Sequence, residues 1–311
     1  MLIPFGILSA AAGLAPVARV SVAGYYAGGL GTTDRVDKFA FPTDTRTTLG
    51  TGLSVATRSN AEMANSGTAG YSAGGVTTVV VSTVDKFAFP SDTRTTLGTG
   101  LSGTKDSPTG TSNTGVAGYV GGGSNTSTVD KFAFPADTRS TLGTGLSQNS
   151  DIGGGAEQLG VAGYVTIGDS GGNPTSTINK FAFPSDTRTT LATGLSSSRG
   201  RTGGMANNLV AAYWGGGMPG NFPIGVSTVD KFSFPSDTRS TLGTGLSLTS
   251  IEVSGWENAA VAGYFGGGTR NSGTSADVDK FAFPSDTRST LATGLSVATR
   301  LGTAFSNQGT F

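Results

Sequence analysis

The sequence has no cysteine and no histidine among its 311 residues. It therefore excludes a disulfide-stapled scaffold, a metal site built on thiolate or imidazole ligands, and any Ser-His-Asp or Cys-His catalytic arrangement. Charged residues make up only 13% of the chain and the formal net charge is zero, so nothing predicts attraction to nucleic acid or to an anionic membrane surface. No run of 18 apolar residues occurs, so no membrane span is predicted.

Glycine, serine and threonine are abundant instead, and one stretch recurs throughout the chain. Residues 36–46 read VDKFAFPTDTR, and each copy follows a short Ala-Gly-Tyr or Ala-Ala-Tyr segment that usually runs into two or three glycines. The six copies are 45 to 51 residues apart and begin at Val36, Val84, Val129, Ile178, Val229 and Val278. A period near 50 with a glycine doublet and an aromatic strand is typical of a propeller.

The spacing within the repeat places every length change in one connection. The repeated Asp (Asn179 in the fourth copy) lies 34 residues before the next repeated Tyr in every copy, whereas the distance from Tyr to the following Asp or Asn varies between 11 and 17 residues. We therefore expect four strands per repeat, named A to D from the channel outward. Strand B ends at the glycines, strand C is the Val-Asp-Lys-Phe-Ala-Phe segment, and the insertions lie in the B–C loop.

The order of these segments predicts how the chain closes. The chain starts its first repeat at strand B, and its last fifteen residues, 297–311, correspond to a strand A. We predict an all-β fold, namely a six-bladed β-propeller of four-stranded blades whose ring is closed when the C-terminal strand completes blade one, since closure removes exposed sheet edges. The propeller would span 17–311, and residues 1–16 would remain outside it as an apolar extension.

The glycine doublet, aromatic strand, turn and fourth strand, followed by a new inner strand, resemble the kelch repeat over about residues 20–311. This resemblance implies a propeller closed by its C-terminal inner strand. The sequence departs from the kelch pattern on the outermost strand, where Arg46 and Leu49 stand instead of the usual tryptophan. The kelch-like oxidases that use copper need histidine ligands, so their chemistry is excluded and we expect no cofactor.

An apolar start before a repeat array rich in Gly, Ser and Thr also resembles, more distantly, the virion proteins of marine tailed phages. That resemblance implies a fibre or decoration component that docks to the particle, or to another surface protein, through its N-terminal peptide. The apolar residues of this predicted docking peptide are Leu2, Ile3, Phe5, Ile7 and Leu8. The same segment also fits a cleaved signal peptide, although it lacks a positively charged start.

Catalysis is the least favoured interpretation. A glycan-cleaving pair of carboxylates is conceivable, but the acidic residues outside the repeats are scattered and form no motif. The glycines do not lead into a phosphate-binding helix, and Asp169 alone is weak evidence of a cation site. The repeated Asp, Lys and Arg residues are expected to cap turns and pair charges, and the repeated Phe residues to pack between blades.

Variation between the copies points to one face of the ring. Length differences fall in the B–C loops, and sequence differences fall in strand A and in the D–A loops; in a kelch-like ring these loops open on the same side. Loops on a rigid scaffold commonly carry recognition, although neutral drift would produce a similar pattern. The residues predicted to contact a partner on this face are Arg58, Lys105, Asn173, Arg199, Arg201, Phe222, Trp256, Glu257, Arg270 and Asn271.

We therefore predict a non-catalytic structural or recognition module with a virion or extracellular location. In the first hypothesis it is a phage virion component whose variable face meets a host-surface glycan or a neighbouring subunit. In the alternative it is a secreted or cell-surface carbohydrate-binding adhesin. A cytosolic kelch-like adaptor is less favoured because no partner domain accompanies the repeats.

Overall fold

The computed structural model describes residues 22–31, 33–220, 222–270 and 273–308. Every regular element in these ranges is a β-strand, and none is a helix. The predicted N-terminal extension, with its docking residues Leu2, Ile3, Phe5, Ile7 and Leu8, lies outside the described residues, as does Asn271.

The strands are short and follow the repeat. In the first half of the chain they are β1 (Ala23–Ala27), β2 (Val36–Ala40), β3 (Thr45–Thr48), β4 (Ala61–Asn65), β5 (Ala69–Ala73), β6 (Val84–Ala88), β7 (Thr93–Thr96), β8 (Thr109–Asn113), β9 (Ala117–Gly121), β10 (Val129–Ala133), β11 (Thr138–Thr141), β12 (Gly155–Gln158), β13 (Ala162–Thr166), β14 (Asp169–Ser170) and β15 (Asn173–Pro174).

The second half continues the same pattern. Its strands are β16 (Ile178–Ala182), β17 (Thr187–Thr190), β18 (Gly203–Asn207), β19 (Ala211–Gly215), β20 (Val229–Ser233), β21 (Thr238–Thr241), β22 (Ser250–Ile251), β23 (Ser254–Asn258), β24 (Ala262–Gly266), β25 (Thr269–Arg270), β26 (Gly273–Thr274), β27 (Val278–Ala282), β28 (Thr287–Thr290) and β29 (Thr303–Asn307).

The described strands form six four-stranded antiparallel sheets, together with small ribbons in the loops (β14–β15 and β22–β25–β26). We number the sheets 1 to 6 by the order of their second strand. From the inner strand outward they are β29-β1-β2-β3, β4-β5-β6-β7, β8-β9-β10-β11, β12-β13-β16-β17, β18-β19-β20-β21 and β23-β24-β27-β28. The predicted all-β class and the four-stranded antiparallel sheets are thus confirmed.

Sheet 1 joins the two ends of the described chain. Strand β29 pairs antiparallel with β1, in a register that sets Ala23 opposite Asn307 and Ala27 opposite Thr303. The inner strand of each sheet also contacts the inner strand of the next, in the order β4, β8, β12, β18, β23, β29 and again β4. The inner strands are therefore neighbours in this order, and we call the space between them the channel.

Alternation within strand C explains how each sheet packs. In β2, Val36, Asp37 and Phe39 are buried whereas Lys38 and Ala40 are partly exposed, and the outermost strand β3 is largely exposed. The buried rings pack against the neighbouring sheet, as expected from the sequence. Phe39, for example, lies 5.3 Å from the ring of Trp256 in sheet 6. The core is therefore divided among the interfaces between sheets.

The repeated tyrosine joins each sheet to the next one. The Tyr25 ring stacks on Phe89 at 5.2 Å, its hydroxyl donates a 2.8 Å hydrogen bond to Asp92, and Lys38 donates to the same carboxylate at 2.6 Å. The equivalent Tyr, Lys and Asp residues are Tyr71, Lys86 and Asp137; Tyr119, Lys131 and Asp186; Tyr164, Lys180 and Asp237; Tyr213, Lys231 and Asp286; and Tyr264, Lys280 and Asp44.

A second repeated contact lies at the opposite end of strand C. Asp37 accepts hydrogen bonds from the backbone N–H and the hydroxyl of Ser296 in sheet 6, at 2.7 and 2.8 Å. Its other oxygen accepts from Thr48 in its own sheet at 2.6 Å. The motif residues Tyr, Asp, Lys and Ser thus serve contacts between sheets, which accounts for their near-identical repetition.

Candidate binding site at the channel mouth

The B–C and D–A loops meet at one end of the sheets, as the sequence predicted. Short antiparallel bridges connect a D–A loop with the B–C loop of an adjacent repeat, for example Arg58 with Val76 and Gly200 with Met218. Strand β22 of one D–A loop likewise pairs with β25 of a B–C loop. This end therefore carries most of the variation between the repeats.

Six loop residues that precede the inner strands form what we call the mouth ring. All six are in the left-handed backbone region, with φ between 51° and 62°, although none is glycine. They are Ser59, Ser107, Ile152, Arg201, Glu252 and Leu301. This conformation is uncommon for such side chains and persists only where neighbouring contacts hold it.

Backbone hydrogen bonds run from one mouth-ring residue to the next. The N–H of Ser59 donates to the Leu301 carbonyl at 2.6 Å, and that of Ser107 donates to the Ser59 carbonyl at 3.1 Å. Three further links of 2.8 to 3.0 Å continue the series through Ile152 and Arg201 to Glu252. Five of the six left-handed residues, from Ser59 to Glu252, therefore point their N–H at the preceding mouth-ring residue, which fixes this part of the rim of the channel.

The mouth ring lines a small, partly open cavity of about 60 Å³, which we call the mouth cavity. All six ring residues line it, and Glu62 lies among the lining residues of the adjoining inner strands. The rim is chemically uneven because Ser59 and Ser107 are small, whereas Arg201 and Glu252 are charged.

An arginine pair dominates the charged side of the mouth. The Glu252 side chain is completely buried and pairs with both Arg201 and Arg300; the Arg300 Nη1 lies 2.8 Å from its carboxylate. Phe222 covers the pair, with its ring centroid 5.1 Å from the Arg300 guanidinium and 6.0 Å from that of Arg201. The Phe222 side chain is nevertheless 52% exposed, so it presents an aromatic surface to solvent.

Acidic residues occupy the neighbouring part of the mouth. Asp169 Oδ2 lies 3.9 Å from Nε of Arg201, and Asp151 accepts a 2.9 Å hydrogen bond from the Asn125 backbone. Burial raises the pKa of Asp169 and the pKa of Asp151, while the positive charge of Arg201 opposes both shifts. The predicted residue Asn173 is exposed on the β14–β15 ribbon beside them.

A second cavity of about 60 Å³ lies further down the channel. Glu62, Glu157 and Glu257 line it, and they come from the inner strands of sheets 2, 4 and 6. Burial raises the pKa of Glu62 to about 8; a hydrogen bond from Thr303 opposes this shift, and the charge of Glu257 adds to it. No group of three or more acidic residues within the described chain has the geometry to hold a metal ion.

Glycine makes this narrow channel possible. The positions equivalent to Glu62 in the next sheets are Gly110, Gly155, Gly204 and Gly255. A Cβ at Gly110 would lie 1.5 Å from the Glu62 carbonyl oxygen, and one at Gly155 would lie 1.7 Å from that of Gly110. At this position adjacent inner strands therefore approach too closely for most side chains. Glu62 is the one large residue among the equivalent positions named here.

The structure corrects four of the predicted contact residues. Lys105, Arg199, Trp256 and Arg270 are buried, so they are not part of an exposed contact surface. Arg201 lines the mouth cavity, Glu257 lines the second cavity, and Phe222 lies over the Arg201 guanidinium. Arg58 is partly exposed in its loop.

The three buried cations stabilise the loops themselves. Arg199 contacts Asp230 at 2.9 Å and Arg270 contacts Asp279 at 2.8 Å; each also donates to the carbonyl of a repeat glycine, as Lys105 does to Gly122. Burial alone would raise the pKa of Asp230, but hydrogen bonds and the Arg199 charge hold it below its usual range. These cations thus serve a structural purpose.

Trp256 belongs to the core between sheets. It stacks on Tyr264 with ring centroids 5.5 Å apart and also contacts Phe39 of sheet 1. Its position on an inner strand explains the error, because an inner strand alternates between the channel and the sheet interface. Glu257, the next residue, faces the channel instead.

Sequence reasoning did not select Glu62, Glu252 and Arg300 as site residues. A signal for Glu62 was present in the sequence, since it replaces a residue that is glycine or alanine in the other repeats. No comparable signal marked Arg300, because its role depends on contacts with Glu252 and Phe222, which lie in other loops distant in the sequence.

Comparison with solved structures shows the class of fold. The chain has a TM-score of 0.70 with a structure titled "Structure of YjhT", at 12% sequence identity, over 89% of this chain and 98% of that chain. No model of a known protein family matches the sequence, and no curated protein matches it. The chain therefore has a β-propeller-like all-β fold. In the described part of the chain, no helix has the length and apolar character needed to cross a membrane.

Proposed function

We propose that the six sheets are the blades of one closed, kelch-like, six-bladed β-propeller in which β29 completes the first blade. Contacts between sheets 6 and 1 support this arrangement, since they match those between other neighbours. Tyr264 and Lys280 both donate to Asp44, and Ser296 donates to Asp37. The inner strands add a hydrogen bond of 2.9 Å from the Glu257 N–H to the Ser306 hydroxyl.

Truncation tests this closure. Removal of residues 303–311 would leave β1 as an unpaired edge, so we expect the melting temperature to fall by about 10 °C or more. Removal of 309–311 alone is the control and leaves β29 intact. An unchanged melting temperature after the longer truncation would contradict a closed ring.

We propose that this propeller is a non-catalytic recognition module that binds a glycan at the channel mouth. The exposed Phe222 ring above the paired guanidinium groups is the observation that carries the proposal. Elsewhere the aromatic rings of the repeat are buried or partly buried between sheets, whereas this exposed ring lies over Arg201, a residue that lines the mouth cavity.

The chemistry of the mouth suits a sugar. The apolar face of a pyranose stacks on an exposed aromatic ring, and its hydroxyl groups bond planar polar side chains such as guanidinium and carboxylate. Arg201, Arg300 and Glu252 hold one another in fixed positions, so ordering these long side chains on binding costs little entropy. The serine hydroxyls of the mouth ring supply further hydrogen-bonding groups.

A glycan array probed with the full chain tests this function. We expect saturable binding to a limited set of glycans that share one terminal sugar, and competition by that free sugar. An absence of binding to any glycan, or binding that the free sugar does not compete, would contradict the proposal.

For the biological context, we propose a phage virion fibre or decoration component attached through residues 1–16. Only the sequence supports this context, through the apolar segment that precedes the repeats. A secreted adhesin with a cleaved signal peptide is the alternative. N-terminal sequencing of the protein from its native source distinguishes them, because a retained Leu2 excludes cleavage and a start near residue 12 or 15 excludes the docking role.

A further inference from the structure

A ring of exposed valines surrounds the end of the channel opposite the mouth. The residue just before each second strand occupies the same turn in every sheet, and five of these six residues are valine, between 42% and 50% exposed. We call this set the valine ring; its members are Val22, Thr68, Val116, Val161, Val210 and Val261.

The turns that carry the valine ring are uncharged, whereas the C–D turns hydrogen-bonded to them carry Asp44 and its counterparts. The turns that carry the ring, residues 65–68, 113–116, 158–161, 207–210 and 258–261, contain no Asp, Glu, Lys or Arg. They connect the inner strands with the second strands, so they lie beside the channel. The charged mouth ring is at the other end of those inner strands. At the valine-ring end, charge thus lies in the C–D turns, where Asp44 pairs with Lys280, and not in the turns that carry the valines.

The chain supplies an apolar segment at this ring. Val22 is itself a ring member, and residues 1–21 immediately precede it with Arg19 as their only charged residue. We propose that the N-terminal residues 2–8 of the same chain cover the valine ring in the free protein. This inference does not depend on the glycan proposal, because it concerns the opposite end of the channel.

Tethering favours this occupant over a second copy of the chain. The 14 residues from Leu8 to Val22 reach about 46 Å when extended, which is enough to span a ring that includes Val22 itself and is carried by closely approaching inner strands. The segment therefore meets the ring at an effective concentration in the millimolar range, set by a short linker. Burying apolar side chains of the segment and the ring together removes both from water. Docking to a particle through the same residues would require them to leave the ring.

Disulfide trapping tests the proposal in the full chain, which has no cysteine of its own. One variant carries Ile7→Cys with Val161→Cys, and the matched control carries Ile7→Cys with Ser185→Cys. Ser185 is exposed in the C–D turn of sheet 4, at the same end of that sheet as Val161. Both positions are at the end of the sheets where the tether begins, so a preference for Val161 reports contact with the ring. We expect the ring pair to form an intramolecular disulfide about tenfold faster than the control pair.

Two results would overturn the proposal. Equal rates of disulfide formation for the two pairs would show that residues 2–8 have no preferred binding position on the valine ring. A disulfide that forms only between molecules would show that a second copy covers the ring.

Protease sensitivity gives an independent readout. The ring variant combines Val116→Thr, Val161→Thr and Val210→Thr, a change that sheet 2 already carries naturally at Thr68. The control variant combines Val55→Thr, Val79→Thr and Val297→Thr, which are exposed valines of the loops at the mouth end. We expect chymotrypsin to cleave at Phe5 about tenfold faster in the ring variant only, because release exposes the segment. An unchanged rate in a folded ring variant would contradict the proposal.

Discussion

The Tyr264 hydroxyl donates a 2.7 Å hydrogen bond to Oδ1 of Asp44, although the two residues are 220 positions apart in the sequence. Lys280 donates to the other oxygen of the same carboxylate at 2.6 Å. The same arrangement joins sheet 1 to sheet 2 through Tyr25, Lys38 and Asp92. The junction between the last and first sheets therefore has the same chemistry as a junction between sheets adjacent in sequence.

This equivalence predicts equal effects of two substitutions. Asp44→Asn and Asp92→Asn each remove the ion pair with lysine but retain an acceptor for tyrosine. We expect each to lower the free energy of unfolding by about 1–2 kcal/mol, since hydrogen bonds to charged groups contribute about that much. Urea unfolding of the two variants provides the measurement. Destabilisation by Asp92→Asn but not by Asp44→Asn would contradict a closed ring.

The close approach of inner strands predicts a severe effect at one glycine. Gly110→Ala would place a methyl group 1.5 Å from the Glu62 carbonyl oxygen, so the strands must separate. We expect a loss of more than about 4 kcal/mol, or failure to fold. Gly143→Ala is the control, because no atom lies within 4 Å of a Cβ at that position. Similar unfolding curves for the two variants would show that the channel is wider than described.

The raised pKa of Glu62 predicts that the stability of the protein depends on pH. Its folded pKa of about 8 is above its ordinary value of 4.5, so the folded state holds a proton that the unfolded state releases between these values. Stability therefore falls as the pH rises from 4.5 to 8 and is unaffected by this group at lower pH. Glu62→Gln removes the titration, so we expect it to match the native protein near pH 4 and to exceed it at pH 8 by on the order of a few kcal/mol.

Urea unfolding of both proteins at pH 4, 6 and 8 measures this difference. The comparison isolates Glu62 because Asp151 and Asp169, whose pKa values are also raised by burial, are present in both proteins. A difference between the two proteins that stays constant with pH would show that Glu62 does not titrate in this range.

Much of the fold follows from periodicity in the sequence. The alternation of Val36, Lys38 and Ala40 with Asp37 and Phe39 predicts strand β2. The constant spacing from Asp37 to Tyr71 means that the C–D, D–A and A–B connections keep a constant combined length in the repeats. The outermost strand, on which the sequence places Arg46 and Leu49, is β3, Thr45–Thr48, so Leu49 falls just after its end. Spacing alone did not show that Tyr25 bonds Asp92 of the next sheet, because partners across an interface leave no local pattern.

The site was harder to predict than the fold. Arg199 and Arg270 stand in polar loops of the kind that usually carry exposed side chains, yet each turns inward to a buried carboxylate of strand C. Only the three-dimensional course of the loops shows this. Phe222 and Arg201 were identified because they differ from the other repeats, whereas Arg300 became visible only when its contact with Glu252 was known.

The affinity of the Phe222→Ala variant for the glycan selected on the array tests the proposed function most directly. Because Phe222 is half exposed, the substitution should leave the free energy of unfolding within about 0.5 kcal/mol of the native value. Val79→Ala, an exposed valine of another B–C loop, is the control. We predict that Phe222→Ala weakens glycan binding by about tenfold or more, as expected for the central aromatic contact of a site, while the control binds normally. Unchanged binding by the Phe222→Ala variant would contradict recognition at the channel mouth.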